Sequence, residues 1–381
     1  MLQKKRALRR RSLGVLSCLV ACGIAFAGTQ PAAPTILLVR DSNVFPYHTQ
    51  LYEYDLGGQV VSQREIPTHG ADTRDIVQLW GEELGFYQGT FTPLIRVFTD
   101  QSWASYEIPG LSVVNNGSYG GIAYSDGKLY VGDMFTYNGG EPRGIVRIDL
   151  ASGAYQRFLE NNDYIDVSIG LDGMLYGLRD YYGRLDVIDP GSMTVAKALF
   201  LGHTSSSRAV TADRDGTIFM ASWDGYVAKY TGSGALASSL ELGSPLYDLD
   251  IERDGRLVSS DYDGRIYLTD VGLTGAVAFD PPTPSLDGGF VAFMRSTPTD
   301  LTALRETRRM RLTWTSGEQL IDIYREGLLI HRGNNDGGYL DSLPAAAMCK
   351  SLRYNVCNSG TSECAKPVQL SGTRRCWGVS R

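Results

Sequence analysis

The chain has 381 residues, 43% of them hydrophobic and 20% charged. That excludes a largely disordered chain and suits roughly two domains at about 150 residues each. Its 44 Gly, 15 Pro and 22 Tyr point to many turns joining short strands, and the lack of a Gly-X-Y period excludes a collagen-like fibre.

Residues 1–27 carry Lys4, Lys5, Arg6, Arg9, Arg10 and Arg11 and no acid, so without them the formal charge moves from −6 to −12. So acidic a chain fits neither nucleic acid nor an anionic membrane surface. The basic stretch precedes an apolar run, Leu13 to Phe26, that ends in Ala25-Phe26-Ala27. The run is too short to span a bilayer, and the small-x-small ending is a cleavage pattern. The expectation is a secretory signal over 1–27 and a secreted, periplasmic or cell-surface protein. Leu19-Val20-Ala21-Cys22-Gly23 resembles the lipobox of bacterial lipoproteins, so a lipid anchor at Cys22 is the alternative. No later stretch reaches the length of a transmembrane helix.

Four segments then align on an Asp-Gly turn between two short apolar strands: 120–133, 167–180, 209–222 and 249–261. The turn aspartates are Asp126, Asp172, Asp215 and Asp254. Asp-Gly between alternating apolar residues is a strong hairpin signal, because Gly tolerates positive φ. Each copy continues into a third strand, and most into a more polar fourth. A period near 40 with four strands is the pattern of a propeller blade, whose faces are buried only by its neighbours. Residues 75–108 give a further degenerate copy, and 35–67 only three strands. Gly289-Phe290-Val291-Ala292-Phe293 resembles the opening strand Gly121-Ile122-Ala123-Tyr124 yet starts no blade. It is expected to complete the first one, with Val291 beside Leu37, which leaves no open edge. An open sandwich or a seventh blade is the alternative.

On these repeats, residues 118–270 resemble the six-bladed β-propellers of the NHL and gluconolactonase-like group. The resemblance implies an all-β propeller over 28–295, closed by a strand at 289–294. After a linker at 296–300, residues 301–376 resemble a bacterial fibronectin type III-like β-sandwich, followed by a tail at 377–381. The features are Trp314, Ile321-Asp322-Ile323-Tyr324-Arg325-Glu326-Gly327, the Gly338-Tyr339-Leu340-Asp341 turn and the hairpin around Cys357 and Cys364. Such modules act as spacers or binding units. Cys349, Cys357, Cys364 and Cys376 all fall near the C-terminus and allow three pairings. Two disulfides are expected in an exported chain, with zinc the alternative. The resemblance implies Cys357 with Cys364 across the hairpin and Cys349 with Cys376.

Blade connectivity puts the lead-in to each first strand and the turn between strands two and three on one face. The lead-ins supply Asp75, Tyr119, Asp166, Arg208 and Asp248; the turns supply Asp133, Arg179, Trp223, Asp224 and Tyr262. These residues are the candidate ligand-binding ring of a funnel, although Asp also serves turns, and Tyr and Trp favour strands. The longer excursions 41–50 and 133–143 add Phe45, Tyr47, Phe135 and Tyr137 as candidate loop contacts. No G-x-S-x-G, H-E-x-x-H or P-loop pattern occurs. Asp213-Arg214-Asp215-Gly216 lacks the later ligands of a calcium loop and reads as a hairpin turn. The expected function is therefore non-catalytic binding of a protein or saccharide, with no cofactor. The alternative implied by the resemblance is a lactonase- or lyase-type enzyme with one divalent cation, Ca or Zn. Arg208 and Arg74 near the funnel oppose a cation unless they are paired.

Overall fold

The computed structural model describes residues 33–372, apart from 42–48, 67–72, 89–93, 100–101, 110, 112–119, 134–142, 181, 203–205, 283–287, 307, 345–346, 348–349 and 362. The described residues are all β, with no α-helix.

Eight antiparallel sheets form, and six of them are four-stranded and drawn from residues 35–294. Sheet two runs Thr73–Gln78, Leu84–Gln88, Leu94–Thr99 and Ser102–Glu107 in simple sequence order. Sheets three to six repeat this plan, with first strands Ile122–Ser125, Asp166–Ile169, Ser207–Ala212 and Leu246–Ile251. Sheet one departs from it. Its first strand is Phe290–Met294, paired onto Thr35–Asp41, with Thr49–Tyr54 and Val60–Ile66 outside. The late strand thus returns to the early ones as the sequence suggests. The register is one residue along from the expected one: Val291 faces Leu38, and Ala292 faces Leu37.

The first strands contact their neighbours in a closed cycle through all six sheets. A separate apolar cluster fills each gap between adjacent sheets. Val258, Ile266, Ile36, Leu38, Val291 and Phe293 join sheets six and one, and Leu37, Val39, Phe290, Ile76, Leu84 and Phe86 join sheets one and two. Inner strands buried on both faces therefore read as near-continuous apolar runs. The outermost strands, such as Val60–Ile66 and Thr194–Phe200, have only one neighbour and are mostly exposed.

The Asp-Gly turns differ in detail. Asp126 and Gly127 both have positive φ, 44° and 75°, as a two-residue hairpin turn needs. Asp172, Asp215 and Asp254 instead precede a positive-φ Gly, and each accepts the amide two residues on.

Residues 298–370 build the other two sheets. One holds Pro298–Arg305, Arg309–Ser316 and Gly338–Ser342; the other holds Leu328–Asn334, Leu320–Arg325, Leu352–Asn358 and Val368–Leu370. Leu312 and Trp314 of the first share a core with Ile321, Ile323, Tyr354 and Val356 of the second. A disulfide joins Cys357 and Cys364, as the resemblance implied. Cys349, Cys376 and Cys22 lie outside the described residues.

Candidate functional site

An axial channel runs inside the cycle of first strands, and three aspartates line it. Asp75, Asp166 and Asp248 lie within the first three residues of the first strands of sheets two, four and six. Each reaches to the next sheet. Asp75 accepts the Ile122 amide at 2.6 Å, Asp166 that of Val210 at 2.7 Å, and Asp248 that of Val291 at 2.7 Å. The other oxygen of Asp75 and of Asp248 accepts the amide of the following residue, Ile76 and Leu249, each at 2.7 Å. These carboxylates are latches between alternate pairs of sheets. The partner position in sheet three is Gly121, where a Cβ would lie 2.2 Å from Asp166 Oδ1. A side chain there would push the two sheets apart.

Two effects compete for these protons. Amide donors favour the carboxylate, whereas burial and like charges disfavour it. Burial pushes the Asp166 carboxyl up to about 7. Burial and then repulsion from Asp166 push that of Asp248 up to about 8. Asp75 is raised well above its ordinary value by burial, Asp248 and Asp166. Among the described residues no group of three or more His, Cys, Asp or Glu side chains is arranged to hold a metal ion.

Three bulges lie at the mouth, the lead-in end of the first strands. In sheets two, five and six the pairing of first and second strands skips one residue, which is Arg74, Arg208 and Tyr247 respectively. A bulge re-aims the extra side chain, and these three occupy the same place in their repeats. The Arg208 guanidinium sits 4.9 Å from the Trp223 ring centre and 4.8 Å from that of Tyr247. Trp223, Tyr247 and Tyr262 lie mutually 5.4 to 5.8 Å apart, and Phe290 meets Tyr247 edge-on at 6.1 Å. Trp223 is 38% exposed, and Arg208 is buried behind it. In sheet two, Arg74 stacks on Tyr87 at 4.9 Å and donates to its hydroxyl at 2.9 Å. Guanidinium–ring contacts of this kind are worth about 0.5–2 kcal/mol each.

The structure therefore brings Arg208, Trp223 and Tyr262 into one cluster and Asp75, Asp166 and Asp248 into the channel beneath. Asp133 is buried and lies 3.5 Å from Arg157. Arg179 bonds Asn162 and lies 3.8 Å from Asp186. Asp224 is exposed beside Trp223. Tyr119, Phe45, Tyr47, Phe135 and Tyr137 lie outside the described residues. Sequence reasoning missed Tyr247 and Phe290. The signal for Tyr247 was there: it precedes Asp248 as Arg74 precedes Asp75.

No protein-family model and no curated protein matches the chain. Solved structures do. A chain from "Crystal structure of Nidogen/Laminin Complex" matches with a TM-score of 0.53 at 11% identity, over 69% of this chain and 99% of that one. A streptogramin B lyase structure matches with a TM-score of 0.46 at 12% identity, over 70% and 95%. A virginiamycin B lyase from Staphylococcus aureus with quinupristin matches with a TM-score of 0.46 at 13% identity, over 74% and 93%. At these identities the likeness speaks to fold alone, and the fold is a β-propeller.

Proposed function

We propose that the chain is an exported binding protein: a six-bladed propeller whose mouth contacts a protein or saccharide, carried with a fibronectin type III-like module. The closed cycle of six sheets supports the blade count. The two sheets sharing the Trp314 core support the module, and the Cys357–Cys364 disulfide supports export to an oxidising compartment.

One observation carries the binding reading: a partly exposed Trp223 in a rigid cluster with Tyr247 and Tyr262, backed by Arg208. Aromatic rings held in place lose little entropy on contact, and Trp, Tyr and Arg are the side chains that dominate binding energy. The nidogen/laminin neighbour comes from a protein–protein complex. The test is retention of the mature chain on arrays of saccharides and of extracellular proteins, wild type against Trp223→Ala. A ligand held by the wild type and released by the variant supports the proposal. Equal retention of every ligand by both refutes it.

A lactonase- or lyase-type activity is the second reading. It is favoured by the Asp166 and Asp248 carboxyls, which burial holds near neutral pH, where a general acid or base works best. A divalent cation would belong to that reading, and stoichiometric calcium or zinc lost on Asp166→Asn would favour it.

A further inference from the structure

Residues of the C-terminal unit line the end of the axial channel that lies away from the mouth cluster. Thr361 and Glu363 line the channel together with Arg253, Arg295 and Thr297. Both sit on a short hairpin whose ends are tied by Cys357–Cys364. The hairpin is fixed to its own unit at Asp322, which accepts from the Ser359 hydroxyl at 2.9 Å and the Gly360 amide at 3.1 Å. Asn358, fully buried, donates to the Ser296 carbonyl at 2.7 Å.

Glu363 points at two arginines of the ring. It accepts from Arg253 Nε at 3.1 Å and lies 3.4 Å from Arg295 Nε. Glu318, from the same C-terminal unit, also pairs with Arg253. The Arg253 side chain is only 6% exposed. Both of its ion-pair partners among the described residues come from the C-terminal unit, so that unit supplies the counter-charge for a buried cation. Further ionic and polar contacts cross this face. Lys366 meets Glu83 at 3.2 Å, while Asp126 takes Asn355 at 3.0 Å and Arg353 at 3.6 Å.

We infer that the disulfide-tied hairpin is a stopper: Glu363 seats in a socket formed by Arg253 and Arg295 and closes that end of the channel. The seat is held by charge, so reversing one charge unseats the hairpin while both units stay folded. This inference stands apart from the nature of any ligand at the mouth.

Hydrogen–deuterium exchange of the oxidised full chain tests it. The amides of Phe293 and Arg295 bond Asp250 and Gln78 at the channel base, each at 2.8 Å, and report on that end. Strand Ile218–Ser222, inside the ring, is the control. Glu363→Lys and Arg253→Glu should each speed exchange over 290–296 by about tenfold or more through local opening, with 218–222 unchanged. The swap Arg253→Glu with Glu363→Lys should return exchange towards wild type. Glu363→Gln, which keeps the shape, should fall between. Unchanged exchange over 290–296 in both single variants overturns the inference. An even rise that includes 218–222 overturns it too, because that is loss of the fold and not release of a stopper.

Discussion

On the mouth face, Arg74 and Arg208 lie against Tyr87, Trp223 and Tyr247; on the opposite face, Arg253 and Arg295 lie against Glu252, Glu318 and Glu363. All four guanidinium groups are largely buried, so each needs compensation for lost water. Rings contribute to it for Arg74 and Arg208, while carboxylates, with the Phe293 ring beside Arg295, contribute to it for Arg253 and Arg295. A ring holds a cation at modest cost and stays useful as a contact surface. A carboxylate from another unit makes a stronger bond but closes the site it fills. On the proposed reading, the difference separates a face prepared for a partner outside the chain from a face that the chain itself occupies.

Both faces depend on one closed ring, and breaking the ring should abolish the distinction. Phe293 is fully buried between sheets six and one, on the returning strand. Phe293→Ala should cost about 3–5 kcal/mol from lost burial and the cavity left behind, read from urea unfolding. A cost below about 1 kcal/mol would mean that the last strand does not close the ring.

The next largest effect falls on the occupied face. Replacing both Cys357 and Cys364 by Ala should cost about 2–3 kcal/mol for a loop of this length. Unfolding followed at Trp80, which lies 5.6 Å from Lys366 of the C-terminal unit, should show the loss. Full retention of stability would remove the tie from the description of that face.

How far the sequence reached follows from the same contrast. Repeating features were legible. The Asp-Gly turns recur because each sheet needs the same reversal, and Phe290–Phe293 matched an opening strand because it is one. The lead-in aspartates and Trp223 were placed on one face by connectivity alone. What repetition does not encode was hidden. The latches join Asp75 to Ile122 across 47 residues, and nothing in either neighbourhood marks the pair. The bulge that turns Tyr247 inward is one residue of misalignment between strands. The seat of Glu363 joins two units with no common period, and a module read as a spacer or binding unit docks against the ring.

The carboxylates between the two faces give a pH signature. In the unfolded chain Asp75, Asp166 and Asp248 titrate near 4; in the folded chain Asp166 and Asp248 lie near 7 and 8, and Asp75 is also raised. The folded state therefore holds more protons between these limits. Stability should fall as pH rises from about 4 through about 8. Urea midpoints from pH 5 to 9 measure this, and Asp166→Asn should flatten the fall. A wild-type midpoint that rises across the window would show the amide donors winning over burial and repulsion.

The smallest effect on stability should come from the residue that matters most to the mouth. Trp223 is 38% exposed, and its contacts with Arg208, Tyr247 and Tyr262 lie at the rim and not in the cores between sheets. Trp223→Ala removes one cation–ring contact and two ring pairs, while Tyr247 still covers Arg208 at 4.8 Å. Partly exposed contacts of this kind should cost about 1–2 kcal/mol together, against about 3–5 for a buried aromatic. Trp223→Phe keeps a ring in place and should recover most of the loss. A ring kept at the surface for packing would erase this ranking, with Trp223→Ala as costly as Phe293→Ala. That outcome would make the cluster part of the scaffold, and the contrast between a prepared face and an occupied one would fail.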